Sequence, residues 1–258
     1  MVLTIAGSDS GGGAGIQADL RTFAAFGIHG LCVITAVTAQ NTREVAAIDV
    51  LRSAIVKAQL DAVFADFRFD VVKLGMLASP AIVRLVASTL ERHSRIKVVL
   101  DPVLVASTGA PLGHGALAAA LRRHLLPRAD LLTPNWPEAS HLLGREFGPQ
   151  DGPAEAAEGL LALGARAVLL KGGHLPGSRV RDLLVSARDR HWFTHPRIAV
   201  EGHGTGCTLA SAVAAGLALG LDLDAAVTRA IAYVQRALRA GYRPGKGTLR
   251  VLDHATRA

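Results

Sequence analysis

Val2-Leu3-Thr4-Ile5-Ala6-Gly7-Ser8-Asp9-Ser10-Gly11-Gly12-Gly13-Ala14-Gly15 joins a short β-branched run to a glycine loop, and a helical pattern over residues 15–26 follows it. The same order recurs. Strand-like runs fall at 31–37, 71–74, 98–101, 131–133 and 167–171, and helix-spaced apolar patterns at 51–64, 80–92, 113–124, 135–143 and 154–163. Strands that alternate with helices predict a parallel sheet covered on both faces, that is, an α/β fold of three α/β/α layers around a central, mostly parallel sheet. After residue 171 the rhythm changes. Residues 179–186 and 191–194, separated by Ala187-Arg188-Asp189-Arg190, predict an antiparallel hairpin at a sheet edge. Long helices are expected near 205–219 and 224–240, and the Gly- and Pro-rich stretch from Gly241 reads as irregular. No internal repeat or long linker divides the 258 residues, so one domain over 1–258 is expected.

Half of the residues are hydrophobic and only 4% aromatic, which suits helices packed closely on a sheet. The formal charge of +7 attracts anions. Its arginines are scattered singly or in pairs such as Arg122-Arg123, with no interleaved aromatics to stack bases, so no nucleic-acid surface is expected. Cys32 and Cys207 are too few for a disulfide framework or a zinc site, which points to a reducing cytoplasm. Residues 1–9 lack a basic region followed by a sustained apolar run, so no signal peptide is read there. The long uncharged stretch 202–221 is rich in Gly, Ala and Thr and carries His203, which predicts a buried helix and no membrane span.

Ligands of an open parallel sheet bind beyond the carboxyl ends of its strands. The glycine loop after the first strand lets backbone N–H groups approach a ligand, but it fails the dinucleotide pattern because Ile16 stands where the third glycine belongs. Gly202-His203-Gly204-Thr205-Gly206-Cys207-Thr208 carries the strongest local signal: a glycine-rich helix start whose free N–H groups and dipole can hold the charge on a transferring phosphoryl group. Cys207 lies in that field, which would lower a thiol pKa and make it a base; a small buried cysteine beside a cap is the other reading. Asp101, at a strand end before Pro102, suits a metal or a turn. Asn135 and Glu138 have capping-box spacing, which is compatible with a second role toward magnesium. Lys171, before Gly172-Gly173-His174, suits a phosphate or a solvated surface. Gly241-x-x-x-Gly245-Lys246-Gly247 is one residue short of a Walker loop and lacks its Ser or Thr, and His191 with His195 lacks the glutamate of a metalloprotease.

Eight blocks in order are Ala6-Gly7-Ser8-Asp9, Gly13-Ala14-Gly15-Ile16-Gln17-Ala18-Asp19-Leu20, Ile34-Thr35-Ala36-Val37-Thr38-Ala39-Gln40-Asn41-Thr42, Lys73-Leu74-Gly75-Met76-Leu77, Asp101-Pro102-Val103, Thr133-Pro134-Asn135 with Glu138-Ala139, Lys171-Gly172-Gly173-His174, and His203-Gly204-Thr205-Gly206-Cys207-Thr208. Together they resemble the hydroxymethylpyrimidine and phosphomethylpyrimidine kinases of thiamin biosynthesis. The resemblance implies a ribokinase-like fold, ATP and Mg2+, a homodimer, and two successive phosphorylations of 4-amino-5-hydroxymethyl-2-methylpyrimidine. It also implies that Gln40 reads the aminopyrimidine edge, with Asp19, Ala14, Gly15 and Met76 lining the same pocket. Cys207 would be the base, with Gly204, Thr205 and Gly206 as the anion hole. Lys171 and Thr205 would face the nucleotide phosphates, and Asp101 and Glu138 would govern magnesium. The chain departs from the family pattern in the first loop, at Ser10-Gly11-Gly12-Gly13, and in the segment Gly245-Lys246-Gly247-Thr248, which bears on closure of the nucleotide site. Two rivals remain at this level: a pyridoxal kinase on the same fold, against which Gln40 argues, and a non-catalytic pyrimidine binder, against which the set Asp101, Glu138, Lys171 and Cys207 argues.

Overall fold

The computed structural model describes residues 1–104, 114–147, 151–256 and 258. Strands β1 (Val2–Asp9), β2 (Gly30–Gln40), β3 (Val45–Val50), β4 (Val71–Leu74), β5 (Lys97–Leu100), β6 (Leu131–Leu132), β7 (Ala167–Leu170), β8 (Arg179–Ser186) and β9 (Arg190–Pro196) form one sheet in the order β3-β2-β1-β4-β5-β6-β7-β8-β9. From β2 to β7 every pair is parallel, and β3, β8 and β9 add antiparallel edges.

The parallel strands are apolar on both faces because both are covered. Leu3, Ile5, Val72, Leu74, Val98 and Leu100 pack against Val56 of α2 (Ser53–Asp66), Val86 of α3 (Pro80–Glu91), Leu121 of α4 (His114–His124), Leu142 of α5 (Trp136–Leu143) and Leu160 of α6 (Pro153–Ala162). The alternate residues Val2, Val71, Val99 and Leu169 face Phe23 of α1 (Gly15–Ala25), Val213 of α7 (Thr205–Ala218), and Val227 and Tyr233 of α8 (Leu223–Arg239). Emptying such a site, as in Leu100→Ala, costs about 2–5 kcal/mol. Helix α7 is buried from Thr208 to Leu217, as a layer between the sheet and α8 must be. Its small residues allow this: a Cβ on Gly216 would stand 3.0 Å from that of Ala226 on α8. Among the described residues no helix is long and apolar enough to cross a membrane.

The predicted layers and edge hairpin are present, and most helix bounds agree within two residues; the expected start of α4 at Gly113 lies outside the described residues. Two expectations fail. Residues 45–50 lie outside the expected strands, yet they form β3, whose Ala46, Ala47 and Asp49 dilute the strand signal because an edge strand leaves them exposed. The stretch from Gly241 is not wholly irregular: β11 (Arg250–Val251) pairs in parallel with β10 (Gly202–His203), and Tyr242 bridges to Val251.

His254 secures this segment under α7. Its Nε2 lies 3.0 Å from Thr208 Oγ1, and the Tyr233 hydroxyl donates to its carbonyl at 3.2 Å. Burial, aided by Arg21, pushes the imidazole pKa from 6.5 down to about 4. The folded state therefore binds this proton less readily than the unfolded chain. The associated stability is complete above pH 6.5 and is lost as the pH falls toward 4, a total of roughly 3 kcal/mol. Urea unfolding across that range should show a shallower acid loss in His254→Gln than in the parent; parallel slopes would assign the loss to other groups.

Candidate active site

The carboxyl ends of β1, β2, β4, β5, β6 and β7 meet the N-terminus of α7. A cavity there is lined by Ala14 and Gly15 of the glycine loop, Gln40 at the end of β2, Met76 after β4 and Cys207 of α7, together with Val45 and Ile48 of β3. Gln40 is thus the last residue of a strand and not part of a turn.

Close backbone approach builds this cavity. Gly204 has φ 83°, and a Cβ there would stand 1.9 Å from the carbonyl oxygen of Gly13. Gly15 has φ 57°, with its Cβ position 2.4 Å from Gly7 O, so the first loop fits against β1 and the turn into α7 only as glycine. Met76 crosses Gly7 so closely that a Cβ there would meet its Cε at 2.4 Å.

Asp19 corrects the expectation. It does not line the cavity; it is fully buried on α1, where its carboxylate takes two 2.9 Å contacts from Lys73 Nζ and accepts from Thr4 Oγ1 at 2.6 Å and Ser211 Oγ at 2.7 Å. Burial works to lower the Lys73 pKa, but the charges of Asp19, Cys207 and Asp101 outweigh it and the ammonium is held firmly. Lys73, unlike Asp19, reaches the cavity wall. A lysine inside the apolar strand Val71-Val72-Lys73-Leu74 signals a buried partner, and that signal was available in the sequence.

Asp9 and His203 are further site residues without an assigned role so far. Asp9 Oδ1 accepts from Gly11 N at 2.7 Å, and Oδ2 from Gly13 N at 3.1 Å and Ala14 N at 2.8 Å. His203 Nε2 lies 2.9 Å from Asp9 Oδ2 and 3.0 Å from Gln40 Nε2. Burial raises the Asp9 pKa, yet these hydrogen bonds, the one from His203 foremost, bring it below the ordinary value.

On the other side of Cys207 lies a charged cluster. Lys171 Nζ is 3.0 Å from Asp101 Oδ1 and 3.7 Å from Glu138 Oε2, and Thr133 Oγ1 donates to Asp101 Oδ1 at 3.2 Å. Glu138 closes the capping box of α5: Asn135 N donates to its Oε2 at 2.8 Å, and Glu138 N donates to Asn135 Oδ1 at 2.9 Å. Burial pushes the Glu138 carboxyl up to about 7 against the pull of Lys171. Burial works to lower the Lys171 pKa, and Asp101 and Glu138 reverse that. A Cβ on Gly206 would be 3.3 Å from Lys171 Nζ and 3.9 Å from Asp101 Oδ2, so this cluster borders the start of α7 directly. The helix N–H groups of Thr205, Gly206 and Cys207 precede the first intrahelical bond, from Thr208 N to Gly204 O at 2.9 Å. Cys207 departs from expectation. Burial pushes its thiol up to about 11, with Asp101 and Asp19 adding to the rise, and Lys73 together with a hydrogen bond to the Gly15 backbone compensates only in part. The cluster's donors are hard carboxylate oxygens, the kind that hold magnesium or its waters beside substrate phosphates, although no group of three or more metal-ligating side chains is present among the described residues.

The family model for phosphomethylpyrimidine kinase matches residues 9–252. A hydroxymethylpyrimidine/phosphomethylpyrimidine kinase of Rhizobium meliloti is 46% identical over 94% of this chain and 92% of its own. A thiamine biosynthesis bifunctional protein of Geobacter sulfurreducens is 49% identical over 95% of this chain, which spans half of that longer protein's length. The ADP complex of Bacillus subtilis pyridoxal kinase superposes with a TM-score of 0.90 at 33% identity, covering 98% of this chain and 96% of that one. The chain belongs to the phosphomethylpyrimidine kinase family, and its fold is ribokinase-like.

Removing Asp19 leaves Lys73 buried without its hydrogen-bonded counter-ion. Asp19→Ala should cost about 3–5 kcal/mol in urea unfolding, and the double change Asp19→Leu, Lys73→Met less than the single one. A loss under about 1 kcal/mol for Asp19→Ala would return this carboxylate to a role at the ligand.

Proposed function

We propose that the protein transfers the γ-phosphoryl group of ATP to the 5-hydroxymethyl group of 4-amino-5-hydroxymethyl-2-methylpyrimidine, and then a second to the resulting monophosphate, to give the pyrimidine diphosphate used in thiamin biosynthesis. One observation carries this reading: the cavity that holds Gln40, Met76 and Cys207 opens on the α7 N-terminus, and Lys171, Asp101 and Glu138 stand on its far side. The likeness to the Rhizobium meliloti enzyme supports the substrates, and the ADP complex of the pyridoxal kinase supports ATP.

In this reading the Gln40 amide pairs with the ring nitrogen and the exocyclic amino group while Met76 packs on the ring. Ala14 and Gly15 present backbone to the substrate, and Cys207 faces the hydroxymethyl oxygen. The N–H groups of Gly204, Thr205 and Gly206 receive the phosphoryl oxygens as charge develops on them, and Lys171, with Thr205, leans toward the nucleotide phosphates. When bound, magnesium supplies charge neutralisation at the phosphates, and Asp101 and Glu138 are the residues that would hold it or its waters. Phosphoryl transfer depends mainly on positioning and electrostatics, so a small fraction of active base suffices: the Cys207 thiol, which rests near 11, first gives its own proton to solvent, and the thiolate, stabilised by the Lys73 ammonium, then takes the hydroxyl proton late in the transfer.

The exposed Val37 and Val50 at the β2–β3 edge support a homodimer, and the free Cys32 and Cys207 support a cytoplasmic setting for the domain over 1–258. The structural likeness to a pyridoxal kinase favours pyridoxal as the second substrate to examine.

Purified protein with ATP and magnesium should convert the hydroxymethylpyrimidine to mono- and then diphosphate, as read by mass spectrometry, and pyridoxal more slowly; no pyrimidine product would overturn the proposal. Cys207→Ala should keep nucleotide binding and lose about 10²–10⁴-fold in turnover, with partial recovery in Cys207→Asp. Rates within about threefold of the parent would make Cys207 structural only. Gln40→Met should cost the pyrimidine roughly 1–3 kcal/mol in kcat/KM and pyridoxal far less. Equal losses would show that Gln40 does not read the ring.

A further inference from the structure

Gln40 can read a ring only if its amide is fixed one way round, and the residues behind it determine which way. One end of the amide lies 3.0 Å from His203 Nε2, and the other end lies 3.3 Å from Thr38 Oγ1. His203 Nε2 also lies 2.9 Å from Asp9 Oδ2. Asp9 already accepts three backbone N–H groups and is buried, so it is an ionised acceptor and Nε2 must carry a proton toward it. Among the described residues His203 Nδ1 is buried with no partner, which disfavours a second N–H there and leaves the neutral Nε2–H tautomer.

An Nε2–H group cannot receive a hydrogen bond from an amide nitrogen. Thr38 gives the same answer from the opposite end. Its hydroxyl proton is used on Ser8 O at 3.0 Å, so toward Gln40 it can only accept. Both neighbours accommodate the amide when its NH2 faces Thr38 and its oxygen faces His203, where that oxygen shares the single Nε2–H with Asp9 as the second acceptor of a bifurcated hydrogen bond. We infer that Asp9 and His203 are specificity-determining positioning residues: their hydrogen-bonded pair locks the Gln40 amide with its oxygen inward, so that one N–H and one oxygen lone pair remain for the ligand in a fixed order. A ligand edge that offers an acceptor and a donor in the matching order is paired at both atoms, and one with the order reversed is paired at neither. Glycine at position 13 belongs to the same device, because a Cβ there would stand 2.4 Å from His203 Cδ2.

The ligand part of this inference rests on the proposed aminopyrimidine substrate, whereas the lock does not, so two measurements separate them. Long-range 1H–15N spectra of the ligand-free protein should show His203 protonated at Nε2, and a bare Nε2 would overturn the lock whatever the substrate proves to be. The second measurement is the kcat/KM ratio between 4-amino-5-hydroxymethyl-2-methylpyrimidine and its analogue without the 4-amino group. In His203→Phe this ratio should fall about tenfold, with the loss in KM, because the amide is free to turn. His203→Gln, which returns an N–H donor near Nε2, should recover most of it. An unchanged ratio in His203→Phe, or equal losses for both substrates that His203→Gln does not repair, would reduce the pair to a structural brace. Absence of any reaction with the aminopyrimidine in the parent would overturn the proposed function and leave the spectra to decide the lock.

Discussion

Asp19 is the point at which the fold and the site are joined. Its carboxylate binds β1 through Thr4, β4 through Lys73 and α7 through Ser211, and it belongs to α1 itself, so four elements converge on one fully buried group. A charge in that position is tolerable only when every lone pair is occupied, which makes the relative placement of these elements nearly all-or-none. The glycine loop precedes α1 and the Cys207 turn opens α7. Fixing the two helices on one face of the sheet therefore brings the two loops together at its carboxyl edge.

The site that results is built largely from main chain. Gly13 against Gly204, Gly15 against Gly7 and Gly7 under Met76 are contacts that a single methyl group would disrupt. Side chains then divide the space. Lys73 and Lys171 place a cation on either side of Cys207, each held by acidic partners, so the thiol lies between two charge clusters that offset one another. Within that balance burial and the neighbouring carboxylates hold the thiol above its ordinary range, against the pull of Lys73 and the Gly15 backbone.

Much of this was legible in the residues and the remainder has identifiable reasons for being hidden. The buried parallel strands announced themselves because Val71–Leu74 and Ala167–Leu170 are covered on both faces. Strand β3 did not, since an exposed edge carries alanine and aspartate without penalty. At the site, Gln40, Ala14, Gly15, Met76 and Cys207 gather around one cavity, and Asp101, Glu138 and Lys171 form one cluster. Asp19 was misplaced although its spacing gave the answer: with Ile16 and Phe23 it lies on the buried stripe of α1, where a charge requires a partner. No local pattern could link Asp9 to His203, because only the tertiary fold brings them together.

The short pairing of β10 with β11 has a consequence for the glycine loop. Val251 stands against both His203, its strand partner, and the Gly13 position of the first loop. The first loop and the segment that backs it come from distant parts of the sequence, so the surface behind His203 exists only in the assembled tertiary fold and in no local piece of the chain.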